Sequence, residues 1–292
     1  MDDEVDRVLD RRAADYVNEN MPMIGVGTYQ VTSRDVLFKT IDAALGVGYR
    51  FIDTAQCYRN EEIIGSMLPE LLEKHGLQRE DIFITTKVSP MNQGKEKAAA
   101  SVQKSLRNLR IDYLDLVLIH WPGMNGRMPA HRDNALYRTQ TYEELEKLMD
   151  AGKVRSIGIS NFEVSHVEAL LKTARYLPAV NQCECHPHFA NKELAEYCQQ
   201  KGIHFQAYSS LGGPDYFQSL MTDDTDHDTS PAVVLLAWGL HKGYSVLPRT
   251  MHEERVVENW KATKMTLEEE EVERLSNIAK KVKACWDPSV IV

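Results

Sequence analysis

Eight short β-rich runs alternating with amphipathic stretches predict an α/β protein built as a closed (β/α)8 TIM barrel. Three observations lead there. The alternation persists from about residue 23 to residue 262, which is the pattern of repeated βα units and hence of a parallel sheet. The stretches between strands are amphipathic. The third is a missing feature: GVGTYQ at 25–30, the candidate phosphate loop of an open doubly wound sheet, lacks the third glycine at the required spacing. The open sheet therefore stands only as the alternative.

Taken in order, the strands are read at 23–28 (MIGVGT), 50–55 (RFIDTA), 82–88 (IFITTKV), 114–120 (LDLVLIH), 156–161 (SIGISN), 179–185 (AVNQCEC), 204–210 (HFQAYSS) and 244–249 (YSVLPR). In the first intervening helix Leu37, Ile41, Ala44 and Leu45 fall at i, i+4, i+7 and i+8, and Gly46 and Gly48 punctuate its end. Two long gaps, 121–140 and 211–230, leave the carboxyl ends of strands four and seven, where a barrel builds its site. After strand eight, Thr250 and Glu253 form a T-x-x-E capping box that predicts a helix start with amides free for an anion. The acidic run Glu268–Glu271 reads as a solvated helix face. No linker or repeat divides the chain, so residues 1–292 are expected to form one barrel domain, with 1–20 as an N-terminal extension and 284–292 as a C-terminal tail.

Composition narrows the function. A net charge of −9 and a pI near 5.6 argue against nucleic acid or an anionic membrane as partner. The charged opening MDDEVDRVLDRRAADYV is no signal peptide, and no apolar run reaches the roughly 18 residues of a membrane span. A cytoplasmic monomer is expected. Its five cysteines, at 57, 183, 185, 198 and 285, show no paired spacing and predict free thiols.

Chemistry enters through the strand ends. Asp53 lies near the end of strand two, Tyr58 just beyond it, Lys87 at the end of strand three and His120 at the end of strand four, so all four face one rim. A lysine beside a tyrosine favours the phenolate and is expected to lower the tyrosine's pKa, while an aspartate keeps the lysine charged and oriented. A neutral imidazole nearby would hydrogen-bond the same carbonyl oxygen as the phenol. Singly, each residue has a plainer reading: a cap, a surface lysine, a core-edge aromatic, a satisfied core histidine. Their joint place on one rim favours the chemical one.

The segments FIDTAQCYRNEEIIG (51–65), ITTKV (84–88), LVLIHWP (116–122), IGISNF (157–162), VNQCECHP (180–187) and VLPRTMHEERVVEN (246–259) resemble the aldo-keto reductase family. The match runs from about Met21 to Asn259. The resemblance implies reduction of a small-molecule aldehyde or ketone by hydride from NADPH, held across the barrel mouth without a Rossmann domain. It implies Tyr58 as general acid, Lys87 and Asp53 tuning it, and His120 orienting the carbonyl. By the same resemblance Ser160, Asn161 and Gln182 hold the nicotinamide carboxamide and Tyr208 stacks on its ring. Ser209 and Leu211 wrap the pyrophosphate, and Arg249, Thr250, Arg255, Glu258 and Asn259 form the adenosine and 2′-phosphate site. Arg249 replaces the lysine usual in the family, but arginine also pairs with phosphate. A second departure lies at the N-terminus, where relatives carry a β-hairpin and residues 6–17 here also have helical character. A third is the short tail ACWDPSVIV, from which Trp286 is expected to reach the pocket. Tyr29, Cys57 and Trp121, with the 122–140 loop, are the expected substrate walls.

Two other functions are possible. One is a binding subunit that uses NADPH only as a ligand, against which the complete set of four rim residues counts. The other is a metal hydrolase, suggested by Cys183, Cys185 and His186. Alternation along a strand turns His186 off the face of the two cysteines, and no second pair with zinc spacing follows. No metal is expected.

Overall fold

The computed structural model describes residues 8–212, 229–279 and 281–292. Eight parallel strands pair in sequence order: β1 (Val26–Gly27), β2 (Phe51–Asp53), β3 (Phe83–Val88), β4 (Leu114–Ile119), β5 (Val154–Ser160), β6 (Val180–Glu184), β7 (His204–Tyr208) and β8 (Ser245–Val246). The ring closes between its ends. Ile24 bridges Val246 in parallel, Gly25 and Gly27 donate to the carbonyls of Val246 and Pro248, and Val246 donates to Met23. This is the closed barrel and not the open sheet. Each strand lies inside its predicted run except β5, which begins two residues earlier, at Val154. β3, β4 and β6 are buried along their whole lengths, as parallel strands covered on both faces must be.

Among the described residues ten α-helices surround the ring: α1 (Arg12–Asn20), α2 (Arg34–Val47), α3 (Glu61–His75), α4 (Lys95–Leu109), α5 (Asp133–Asp150), α6 (Val164–Leu171), α7 (Lys192–Lys201), α8 (Pro231–His241), α9 (Glu253–Trp260) and α10 (Glu269–Ser276). α2 follows its pattern: Leu37, Ile41, Ala44 and Leu45 are buried, the Ser33 hydroxyl caps Val36, and Gly48 ends the helix at φ 118°. Gly46 lies inside this helix. None of the helices among the described residues is long and apolar enough to cross a membrane.

The N-terminal segment, whose sequence allowed either a hairpin or a helix, forms helix α1: Ala13, Ala14 and Val17 turn inward, the Ser156 hydroxyl donates to the Ala13 carbonyl, and the Tyr16 hydroxyl donates to Asp115 at 2.7 Å. Two expectations need correction. The gap at 121–140 is a loop only as far as Arg132, because α5 begins at Asp133. Its start carries no side-chain cap, so the sequence holds no local signal for it. The Thr250–Glu253 box does not form either. The Thr250 hydroxyl accepts from His252 at 3.1 Å, and α9 begins at Glu253 with His252 at its N-cap. Of the second gap, residues 213–228 lie outside the described residues. All five cysteines are free thiols.

Because α3 starts just past Tyr58, its seat fixes that residue. Gly65 permits the seat: a Cβ there would meet the Asn108 carbonyl oxygen at 2.2 Å and the Leu109 carbonyl carbon at 2.6 Å. Gly65→Ala gains at most about 1 kcal/mol of helix propensity. It should still destabilise the fold by about 1–2 kcal/mol, since overpacking against rigid backbone costs more. Urea denaturation checks this; an unchanged midpoint would mean that α3 and α4 move apart freely.

Candidate active site

The turn after β2 is fixed before any chemistry is considered. Asn60 donates from its amide to the carbonyls of Thr28 and Val31 and accepts from the Thr54 hydroxyl. This holds a single 3-10 turn, Gln56–Tyr58, that presents the phenol at the rim. From β3, Lys87 extends a side chain wholly out of water. Its ammonium lies 2.6 Å from Asp53 Oδ1, 2.9 Å from the Thr54 carbonyl and 3.4 Å from the Tyr58 hydroxyl. The other Asp53 oxygen accepts from Gln182 Nε2 at 2.9 Å, and Gln182 also donates to Gln206 Oε1 at 2.7 Å. A buried charge is tolerable only when paired in this way.

His120 follows β4, its backbone N–H donating to Val88. Its ring stands edge-on to Tyr58 at 5.7 Å between centroids, and its Nδ1 is 3.5 Å from Cys57 Sγ. Burial, followed by the charge of Lys87, pushes the imidazole down to about 3, so it is neutral. Tyr58 moves opposite to the sequence expectation. Burial first, then the Asp53 carboxylate, push the phenol well above its ordinary value. Lys87 lies closer to Asp53 than to the phenol, so its charge does not offset that burial.

The residues matched to a nicotinamide site form one connected set. Asn161, left-handed at φ 63°, donates from its amide to the His120 carbonyl at 3.0 Å and to Ser160 Oγ at 3.1 Å. Its Oδ1 accepts from the Tyr208 hydroxyl at 2.7 Å, and Ser160 Oγ donates to the Gln182 carbonyl. Ser209 lies 3.7 Å from Cys285 Sγ, and Leu211 packs on the core. Arg249, past β8, donates through Nε to the Tyr29 carbonyl and through Nη2 to Gln30. On α9, Arg255 is exposed, Glu258 half-buried and Asn259 buried. Of the expected walls, Tyr29 leans edge-on against Tyr58 at 5.1 Å and Cys57 is exposed. Trp121 meets Trp286 edge-on at 6.2 Å, so the short tail does reach the rim.

Several contributors escaped the sequence reading. Gln206 and the Thr54 carbonyl complete the shell of the Asp53–Lys87 pair. Gln93, wholly buried, donates to the carbonyls of Trp121 and Gly123 and pins the loop after β4. Glu184 had a signal: it lies two residues beyond Gln182 on β6 and so shares its face. The cysteine and histidine of the hydrolase alternative diverge, Cys183 donating to Asn181, Cys185 to Ala190, and His186 pairing with Glu184. Among the described residues no group of three or more His, Cys, Asp or Glu is placed to hold a metal ion.

Known proteins resemble this chain over nearly its whole length. It is 38% identical to Glyoxal reductase of Bacillus subtilis (strain 168), over 93% of this chain and 94% of that one. It is 33% identical to Glycerol 2-dehydrogenase (NADP(+)) of Hypocrea jecorina, over 89% of each. The crystal structure of an aldo-keto reductase enzyme from a Medee basin deep-sea metagenome library matches with a TM-score of 0.82 at 34% identity, covering 91% of this chain and 94% of that one. The family model described as the Aldo/keto reductase family matches residues 23–280. With the closed barrel and the rim cluster already in view, these likenesses place the chain in the aldo/keto reductase family of oxidoreductases acting on aldehydes and ketones.

Proposed function

We propose that this chain is an NADPH-dependent carbonyl reductase in which Tyr58 protonates the oxygen of an aldehyde or ketone. The observation that carries the reading is the Lys87 ammonium, set between Asp53 at 2.6 Å and the Tyr58 hydroxyl at 3.4 Å, with a neutral imidazole beside the phenol. The coenzyme, when bound, supplies the hydride for the carbonyl carbon. Everything else falls to the chain's own side chains. Cys57 Sγ lies 3.5 Å from His120 Nδ1; with the thiol as donor there, the neutral ring carries its hydrogen on Nε2 and points the substrate oxygen at Tyr58. Tyr58, neutral at physiological pH, gives up its proton as negative charge grows on that oxygen, and the adjacent ammonium stabilises the phenolate left behind.

As acceptors the side chains matched to a nicotinamide site fit the NH2 of a carboxamide: Asn161 Oδ1 takes the Tyr208 hydroxyl and keeps a second lone pair, while the N–H groups of Asn161 and Gln182 are held by their protein partners. Ser160, Asn161 and Gln182 would hold the nicotinamide amide, Tyr208 would cover one ring face, and Ser209 and Leu211 would lie along the pyrophosphate. Tyr29 and Gln30 take two of the five N–H donors of Arg249, which leaves donors for a 2′-phosphate beside Thr250 and Arg255. Glu258 and Asn259 would meet the adenosine. The Hypocrea relative's name carries NADP(+), which supports this choice of coenzyme. Small dicarbonyls belong in any substrate panel, because the Bacillus relative is named a glyoxal reductase.

Tyr58→Phe should lower the rate of NADPH oxidation with an aldehyde panel by about a hundredfold or more, the usual worth of a general acid. Coenzyme affinity should hold; a variant keeping a tenth of the wild-type rate would remove Tyr58 from the role. With burial holding the phenol well above its ordinary value, Tyr58 keeps its proton throughout the neutral and mildly alkaline range. The single-turnover reduction rate should therefore be flat from about pH 7 to about pH 9, below the ordinary tyrosine pKa near 10. A fall centred inside that window would contradict the assignment of the proton. Arg249→Met should weaken NADPH about tenfold to a hundredfold, the loss of one charge-assisted hydrogen bond, while NADH stays within about threefold. Fluorescence titration of both coenzymes decides it, and equal losses would mean that Arg249 does not read the 2′-phosphate.

A further inference from the structure

The last strand end before Tyr208 carries a carboxylate that the reaction does not use. Glu184 closes β6, pairs in register with Tyr208 on β7 and is 1% exposed. Its partners come mostly from the distant C-terminal segment. Oε1 accepts from the Ala284 backbone N–H at 2.5 Å and Oε2 from the Cys285 N–H at 2.9 Å. Lys283 Nζ lies 3.3 Å from Oε2, over the ring of Phe189, and His186 Nε2 lies 3.1 Å from Oε1. Two successive backbone N–H groups aimed at one carboxylate form an anion nest, here closed around an internal side chain. Burial alone would push Glu184 up, but the bonds from His186 and Ala284, with Lys283 and Cys285, bring it down to about 2.

Beyond this grip the chain crosses the rim. Cys285 sits beside Ser209, and Trp286, 83% exposed, touches Trp121, the residue next to His120. The far end is fastened as well. His166 Nε2 is 2.7 Å from the Ile291 carbonyl, buried Arg138 donates to the Val292 carbonyl at 2.9 Å, and Val292 donates to Pro129 in the loop after β4. Between the two anchors Trp286 lacks a pocket of its own. Its place over the rim is decided by where the chain is held.

We propose that Glu184 is a positioning residue for substrate choice: by clamping the main chain of Lys283–Cys285 it holds Trp286 against Trp121, so that aromatic and other bulky carbonyl compounds are preferred over small ones. A bulky apolar substrate covers the open tryptophan face, whereas a two- or three-carbon aldehyde does not reach it. The inference rests on the reading of the rim as a carbonyl-reducing site. It assigns Glu184 no contact with substrate.

The test compares Glu184→Gln, Trp286→Ala and the double variant on 4-nitrobenzaldehyde and on methylglyoxal. Three further readouts accompany the kinetics: coenzyme titration, thermal melting, and the rate of trypsin cleavage after Lys283. Glu184→Gln keeps the shape but sets an amide NH2 against one of the two backbone donors and removes the charge that meets Lys283. We expect KM for the aromatic aldehyde to rise about tenfold, the order of one charge-assisted hydrogen bond, with kcat within about twofold. KM for methylglyoxal and the coenzyme Kd should stay within about twofold, and cleavage after Lys283 should quicken. The double variant should be no worse than Trp286→Ala, because both act on one wall. Equal KM changes for both aldehydes, additive effects in the double variant, or a loss of coenzyme affinity would each overturn the proposal. If Glu184→Gln does not fold, Lys283→Met, which removes the partly buried cationic partner and the trypsin site with it, decides between the kinetic and coenzyme outcomes at about threefold. A wild-type chain that reduces no carbonyl would sink the reading of the site and leave the clamp to be judged by cleavage alone, where an unchanged rate would refute it.

Discussion

The site depends on one buried ion pair. Taking the Lys87 ammonium and the Asp53 carboxylate out of water costs several kcal/mol per ion, and their attraction repays this only if each remaining donor and acceptor is met. Here the Thr54 carbonyl and Gln182 complete the shell. Those partners come from β2, β3 and β6, so the pair is satisfied only when these strands have taken their places in the ring. Removing one member of such a pair strands the other, at a cost of roughly 3–5 kcal/mol. The chemistry of the rim and the integrity of the barrel therefore rest on the same contact.

From Asp53 a continuous run of hydrogen bonds passes through Gln182 to Ser160 and Asn161, then to Tyr208 and the carbonyl of His120. Residues from β2, β4, β5, β6 and β7 are held in one polar layer above an apolar core. At the opposite end of the barrel a second buried carboxylate, Asp115, binds Arg79, the Ile84 N–H and the Tyr16 hydroxyl of α1. Each end of the ring is thus organised by an acid at its margin, one at the proposed site and one that closes the floor.

Strand order and rim position were legible because both follow from local pattern: short β-rich runs (FI, IFITT, LVLI), then an ionisable residue where the run stops. Asp53, Lys87 and His120 could be placed on one rim from the sequence for that reason. What stayed hidden depends on groups far apart in the chain. The proton on Tyr58 is governed by burial and by how fully Asp53 occupies Lys87, and neither has a sequence signature. The start of α5 lacks a cap, and the T-x-x-E motif at Thr250 is overridden by the turn that places His252 at the N-cap. Glu184 could be assigned to a face by its spacing from Gln182, but its partners lie about a hundred residues later, in backbone N–H groups that no side-chain pattern marks.

The seam of the barrel has a consequence for how the molecule comes together. From β1 through β8 every strand is laid beside the one made just before it, so the sheet can grow by short crossovers, each with a modest loop-closure cost. The bridge from Ile24 to Val246 joins residues at opposite ends of the chain, and β1 and β8 contribute only two residues each. A nascent chain cannot make this joint until β8 has been synthesised, and until then the edges of β1 and of the last strand added stand open to other chains. The ring that shelters the buried ion pair is completed late, by its thinnest join.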